Sequence, residues 1–131
     1  MTPGAAPTIH LDTSFFIRAL VPGSEESETL RAWLRARRAI AISTLAWGEF
    51  LCGPVDEGVE DLARRVARTC IPLGVDEAGS AARLFHETGR RRGSFHDCMI
   101  AATAMGADAE LATTDRADFG RFVARGLRLA G

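Results

Sequence analysis

The sequence predicts a single α/β domain with a short, mostly parallel sheet, and three observations predict it. Short apolar or β-branched segments alternate with amphipathic stretches of helical period along the whole chain. The 131 residues suit one ordinary domain built on one hydrophobic core. No internal repeat, low-complexity run or interdomain linker divides them, so one domain is expected over 1–131, with 1–7 a flexible tail.

The elements follow in order. Residues 8–11 (Thr-Ile-His-Leu) are the first strand, and Asp12 ends it. Thr13 and Ser14 open a helix over 15–20, closed by Pro22-Gly23. Ser24 precedes a helix over 25–37 that is acidic in its first turn and arginine-rich at its end, as the helix dipole favours. Leu30, Trp33 and Leu34 form its apolar stripe. Residues 39–42 read as a second strand. Ser43 or Thr44 can cap the helix over 45–52, which Gly53-Pro54 stops. Residues 56–69 form an amphipathic helix with Val59, Leu62, Ala63 and Val66 on one face. Residues 71–75 are a third strand, which Pro72 and Gly74 shorten or assign to an edge. A helix over 76–91 turns Ala78, Ala82, Leu84 and Phe85 inward, and Gly93 breaks it. The helix over 94–105 is rich in small side chains that allow close packing. Residues 110–113 are a fourth strand, 118–122 a turn or short helix, and 127–129 a last short strand.

Composition narrows the function classes. The formal net charge is −1, so no bulk positive charge advertises nucleic acid. All 16 basic residues are arginine, while lysine, asparagine, glutamine and tyrosine are absent. With no lysine to choose against, a preference for arginine carries little diagnostic weight. Cys52, Cys70 and Cys98 match no zinc spacing and sit among apolar or small neighbours, so buried reduced thiols are expected. No apolar run approaches the ~20 residues that span a bilayer, so no membrane role is expected. Residues 1–7 lack the apolar core of a secretory signal, which makes the cytoplasm the expected location.

Four acids stand out by position. Asp12 follows an apolar strand, and Asp115 follows the strand segment Leu111-Ala112-Thr113. Ligands of open α/β sheets bind beyond the carboxyl ends of strands. Asp97, at a helix start, can reach the same edge. Glu49 lies in a helix between Trp47 and Phe50-Leu51. Each also has a plain structural reading. Asp12 can cap a helix, Ser94-x-x-Asp97 fits a capping box, Glu49 fits an exposed helix position, and Asp115 fits a turn. Together they suggest more, because partly desolvated like charges coexist only with shared protons or a bound cation. Hard oxygen donors without a Cys/His set favour Mg²⁺ or Mn²⁺ over Zn²⁺. Such a cation assists hydrolysis of a phosphodiester.

Four segments carry a resemblance: I-H-L-D-T-S-F-F-I (9–17), I-S-T-L-A-W-G-E-F (42–50), F-H-D-C-M-I-A-A-T-A (95–104) and L-A-T-T-D-R-A-D-F (111–119). In their order and spacing the chain resembles the PIN-domain ribonucleases, in particular the VapC toxins of toxin–antitoxin pairs. The resemblance implies a three-layer α/β/α domain whose acids bind Mg²⁺ or Mn²⁺ and cut RNA, leaving a 5′-phosphate and a 3′-hydroxyl. Carried over by position, it implies Asp12, Glu49, Asp97 and Asp115 as catalytic and metal-binding residues, with Asp118 the alternate for the fourth acid. Thr13 or Ser14, and Thr113, resemble positions whose hydroxyls orient carboxylates or bound water. It also implies a cognate VapB-like antitoxin and a homodimer. Apolar Phe15, Phe16, Leu20, Trp33, Trp47 and Phe50 are candidates to line the antitoxin groove, with core packing the default for most of them.

Arg90, Arg91, Arg92 and Arg116 flank the acids and are the candidate RNA-backbone contacts; cations at a helix end are the plain alternative. His10 is expected to be structural, and His96 a surface neighbour of Asp97 and not a ligand or base. A receiver-type phosphoacceptor domain would need a strand-end lysine, which this chain lacks. A PIN nuclease of RNA processing without an antitoxin, or a PIN fold that only binds, remain the other readings.

Overall fold

The computed structural model describes residues 6–131, so most of the expected tail over 1–7 lies outside the described residues. The chain runs β1 (Ile9–Leu11), α1 (Thr13–Ala19), α2 (Glu25–Arg35), β2 (Ile40–Ser43), α3 (Thr44–Leu51), α4 (Glu57–Val66), β3 (Thr69–Ile71), α5 (Val75–Glu87), α6 (Phe95–Gly106), β4 (Glu110–Ala112), α7 (Arg116–Gly120), a 3₁₀ turn (Val123–Arg125) and β5 (Arg128–Leu129). The five strands pair in the order β3-β2-β1-β4-β5, and every pairing is parallel. Every residue of β1 and β2 is buried, which requires helices on both faces of the sheet. The fold is therefore the three-layer α/β/α arrangement expected from the sequence.

The core sits where the central strands meet α1, α6 and the C-terminal turn. Phe16, Phe119, Phe122, Ile9, Leu11, Ile42, Ile100 and Leu111 are all almost fully buried. α6 approaches closely because Ala101, Ala102 and Ala104 are small and wholly covered. Truncating a core aromatic such as Phe16 would cost about 3–5 kcal/mol.

The boundaries shift in instructive places. Residues 69–71 form β3, two residues earlier than expected, and α4 ends at Val66. β3 pairs only with β2 and is largely exposed, so it lacked the apolar mark of a central strand. Its edge position, read from Pro72 and Gly74, holds. Gly74 caps α5, its N–H bonded to the Glu77 carboxylate at 3.1 Å. α5 stops at Glu87 because Gly89 and Arg90 both take positive φ, and it buries Ala81 and Leu84 with Ala82 beside them only half-covered. α2 stops at Arg35, with Arg37 in the left-handed region. Leu34 and Leu62, expected inward, are exposed. The thiols divide: Cys98 is buried, but Cys52 and Cys70 are exposed, against expectation, and all three are free.

Candidate active site

The strand order decides where the acids meet. From β1 the chain steps to β2 and β3 on one side, then crosses to β4 and β5 on the other. The direction of winding thus reverses between β1 and β4, and the crevice beyond their carboxyl ends is where such a sheet opens. Leu11 pairs with Ala112 in register, and the Asp12 N–H still bonds the Ala112 carbonyl at 2.9 Å. The next residues out, Asp12 and Thr113, are therefore brought side by side.

Asp12 is 5% exposed and occupies the N-cap position of α1, yet its carboxylate does not cap the helix. Oδ2 instead accepts hydrogen bonds from Ser14 Oγ and Thr113 Oγ1, both at 2.8 Å. These are hydroxyls of the two positions that the resemblance marked as orienting groups. The Thr13 hydroxyl points elsewhere: it bonds the Ala46 carbonyl at 3.1 Å and pins α1 to α3. Burial pushes the Asp12 carboxyl above the usual range; the two hydroxyls pull back, and the Glu49 charge adds a smaller push in the same direction as burial.

Asp97 lies in the first turn of α6 and Asp115 just before α7. The capping box expected of Ser94 and Asp97 is not made, because the Ser94 hydroxyl donates to the Arg91 carbonyl at 2.6 Å. One carboxylate oxygen from each of Asp97, Asp115 and Asp118 lies within 4.8 Å of the others. Burial raises the Asp97 carboxyl, and the charges of Asp12 and then Asp115 raise it further, against the pull of Arg121. Asp118 behaves oppositely. The Arg91 guanidinium, 2.9 Å away, holds it below the ordinary range.

Glu49 is exposed on α3, with its carboxylate 3.2 Å from His96 Nε2 but outside hydrogen-bond geometry. Its influence on Asp12 ties it to the same pocket. His10, inside β1, is buried beyond reach of solvent, and burial pushes it down to about 4, so it is neutral.

The four candidate arginines separate. Arg91 holds Asp118, and Arg91 and Arg92 line a cleft of about 90 Å³ together with Asp97 and Asp118. Arg90 donates to His86 Nδ1, and Arg116 donates to the Ala130 carbonyl at 2.8 Å. Sequence reasoning missed Arg121, whose Nη2 is 3.8 Å from Asp97 Oδ2. The spacing Asp118-x-x-Arg121, across one helical turn from an acid, was the available signal.

An apolar groove lies apart from the acids. Ile17, Leu20, Val21, Phe50, Val55 and Val59 line a hollow of about 250 Å³. Of the six candidate apolar side chains Leu20 and Phe50 line this hollow; Phe15 and Phe16 are buried in the core, while Trp33 and Trp47 pack half-covered against the core.

As donors, the acids offer only carboxylate oxygens, a set suited to a hard divalent cation, and the raised carboxyls of Asp12 and Asp97 mark charge in need of neutralisation. Asp97, Asp115 and Asp118 stand close enough for one ion to be shared, whereas the predicted ligands Asp12 and Glu49 fall outside that group.

The family model for the PIN domain matches residues 9–123. No curated protein sequence matches the chain. Among solved structures, VapBC2 from Rickettsia felis, bound to a DNA fragment from its promoter, superposes with a TM-score of 0.74 at 20% identity over 94% of this chain and 97% of that one. A toxin–antitoxin complex from Klebsiella pneumoniae gives 0.69 at 26% identity over 86% and 90%. VapC20 of Mycobacterium tuberculosis, a sarcin–ricin-loop-cleaving toxin, gives 0.64 at 17% identity over 94% and 98%.

Proposed function

We propose that this chain, which belongs to the PIN domain family, is a metal-dependent endoribonuclease acting in the cytoplasm as the toxin of a toxin–antitoxin pair. The observation that carries the reading is the gathering of Asp97, Asp115 and Asp118 within 4.8 Å of one another at this crevice, where the charges of Asp12 and Asp115 both raise the Asp97 carboxyl. A bound Mg²⁺ or Mn²⁺ would neutralise charge on the phosphodiester and ease deprotonation of the attacking water. Asp12, Asp97 and Asp115 would hold that ion, directly or through water. Asp118 is near enough to Asp97 to share in this. Glu49 completes the site by ligation or by accepting the proton of the attacking water. Ser14 and Thr113 keep the Asp12 carboxylate aimed. Arg91 and Arg92, at the rim of the cleft, serve the RNA backbone; Arg90 and Arg116, engaged elsewhere, contribute less.

The toxin role draws support from the toxin–antitoxin complexes among the similar structures. A VapB-like antitoxin would lay apolar side chains in the groove of Ile17, Leu20 and Val55 and bring a basic one to the acids. A homodimer accompanies this reading. The test is cleavage of RNA by the purified chain with Mg²⁺ or Mn²⁺, with EDTA, and with Asp97→Asn. Cleavage should need the cation and disappear in a variant that stays folded. RNA left intact by the wild type with either cation, or cut equally well by folded Asp97→Asn, would sink the reading.

A further inference from the structure

We infer that the exposed arginines at the C-terminal end of α4, Arg64, Arg65 and Arg68, form a second contact for the RNA backbone, at the β3 edge of the sheet and away from the acids. For the identity of the ligand the inference rests on the nuclease reading above. It starts from how charge is distributed. The formal net charge is −1, yet residues 31–38 and 64–68 hold seven of the 16 arginines and no acid. These segments are the ends of α2 and α4 with the residues that follow them. The fold brings the two together. Arg38 from the first and Arg65 and Arg68 from the second line one hollow of about 350 Å³, with no acid in its lining. Arg68 also lines an adjoining hollow of about 140 Å³ with Arg64 and Trp47, again without an acid.

The side chains are within reach of a ligand. Arg64 is 63% exposed, and Arg65 and Arg68 are exposed as well. Among the described residues neither Arg65 nor Arg68 has a carboxylate within 4.0 Å. Arg65 gives its Nε–H to the Asp61 carbonyl at 3.4 Å, which leaves the outer nitrogens for another acceptor. Arg64 lies over the Trp47 ring, its guanidinium carbon 5.3 Å from the ring centre, and its exposed pair with Glu60 is a weak competitor. Arg38 differs. It is half-buried and donates to Glu110 and to the Pro7 carbonyl, so it is not counted among the contacts.

Cations are favoured at helix C-termini without any ligand, but that explanation covers too little here. The end of α2 is closed by its own backbone, the N–H groups of Ala36, Arg37 and Arg38 bonding the carbonyls of Ala32, Leu34 and Trp33. Among the described residues no arginine side chain of the two segments donates to a last-turn carbonyl of either helix. A row of exposed planar forks without acids suits a chain of phosphates. The row begins where Ile40 and Thr69 open β2 and β3, at the end of the sheet opposite the acids, and passes Ile42 and Cys70 midway along them. Beyond lies α3, which carries Glu49. Strands of three or four residues are about 10–13 Å long, a distance that a few nucleotides span. RNA held on this track can place another of its phosphodiesters at the acids. An acidic protein segment is the competing occupant.

The test is binding of an unstructured RNA oligonucleotide to the full chain in EDTA, where it is not cut, across a salt series. Arg65→Gln with Arg68→Gln removes two exposed contacts, so the slope of log K against log salt should become shallower by about 1.4, and affinity at about 0.15 M salt should fall about tenfold. Arg83→Gln, exposed on α5 and lining neither hollow, should leave both near wild type. With Mg²⁺ or Mn²⁺ the double variant should raise KM and keep kcat, because the track holds substrate and touches no reacting atom. Wild-type slope and affinity in the double variant would overturn the inference. So would an equal loss in Arg83→Gln, which would reduce the effect to net charge, or a fall in kcat at unchanged KM. Displacement of RNA by poly-glutamate at equal charge concentration would give the track to an acidic protein segment and overturn it too. A wild-type chain that binds RNA, loses affinity in the double variant as expected and cuts nothing with either cation would defeat the nuclease reading and spare the track.

Discussion

The two halves of the acidic pocket are built on opposite terms. Asp12 is buried, fixed by two neutral hydroxyls and raised above the usual carboxylate range. Asp118 is about one-third exposed, fixed by a guanidinium and lowered below that range. Neutral donors orient a charge without cancelling it, whereas Arg91 cancels the charge that it orients. On the proposed nuclease reading, the inner half would therefore draw a cation more strongly than the Arg91-paired Asp118. The difference predicts unequal consequences for removing charges of the same kind.

The largest effect should come from the inner half. Asp12→Asn or Asp97→Asn deletes charge where nothing else replaces it, and each should lower cleavage by roughly 10³-fold, the kinetic equivalent of several kcal/mol of charge stabilisation. Circular dichroism and thermal unfolding should show an intact fold. Cleavage rates within a few-fold of wild type would erase the distinction between the halves. Next come the hydroxyls. Ser14→Ala and Thr113→Ala each remove one of the bonds that aim Asp12, and groups of that kind are worth about 10–100-fold in metal affinity or activity. Calorimetric titration of Mn²⁺ into each variant reads the affinity directly. Smaller still is Asp118→Asn. Its ion pair with Arg91 is half-exposed, and such pairs are worth about 0–1 kcal/mol, so a loss of about fivefold or less is expected in cleavage. A loss as deep as that of Asp97→Asn would move Asp118 into the inner set and displace Asp115 as the fourth acid.

This asymmetry also marks what could be read before the fold was known. Asp12 and Asp115 were legible because both follow apolar strands, and strand ends of a parallel sheet share one edge. Their convergence needed the order β2-β1-β4, which periodicity alone does not contain. Arg121 was hard to read: in a chain without lysine one more arginine stands out little, and its one mark was the spacing Asp118-x-x-Arg121. β3 was misplaced by two residues because an exposed edge strand has no hydrophobic alternation to betray it. Core packing, the default reading for most of the six apolar side chains, holds for Phe15, Phe16 and Phe50, because an aromatic has the same sequence signature whether it fills a core or faces a partner.

The finest difference between the halves lies in how pH acts on the cation-free protein. Burial raises Asp12, and burial reinforced by the Asp12 charge raises Asp97. A carboxyl whose folded pKa exceeds its unfolded one costs stability once ionised. That cost is absent below the unfolded pKa and complete above the folded one. Acidification from neutral through the range just above ordinary carboxylates should therefore relieve strain at the inner half. Asp118 has the opposite sign: its contribution is present above the unfolded pKa and fades only at lower pH. In EDTA the melting temperature should thus rise slightly on going from neutral pH towards about pH 5 before the general acid loss begins. Mg²⁺ should remove that rise by stabilising the protein more at neutral pH than at acidic pH. Asp12→Asn should show a flatter profile and a smaller Mg²⁺ increment. A melting temperature that falls steadily from neutral pH in EDTA, with the same profile in Asp12→Asn, would mean that the buried carboxylates carry no uncompensated charge, and the contrast between the two halves would be lost.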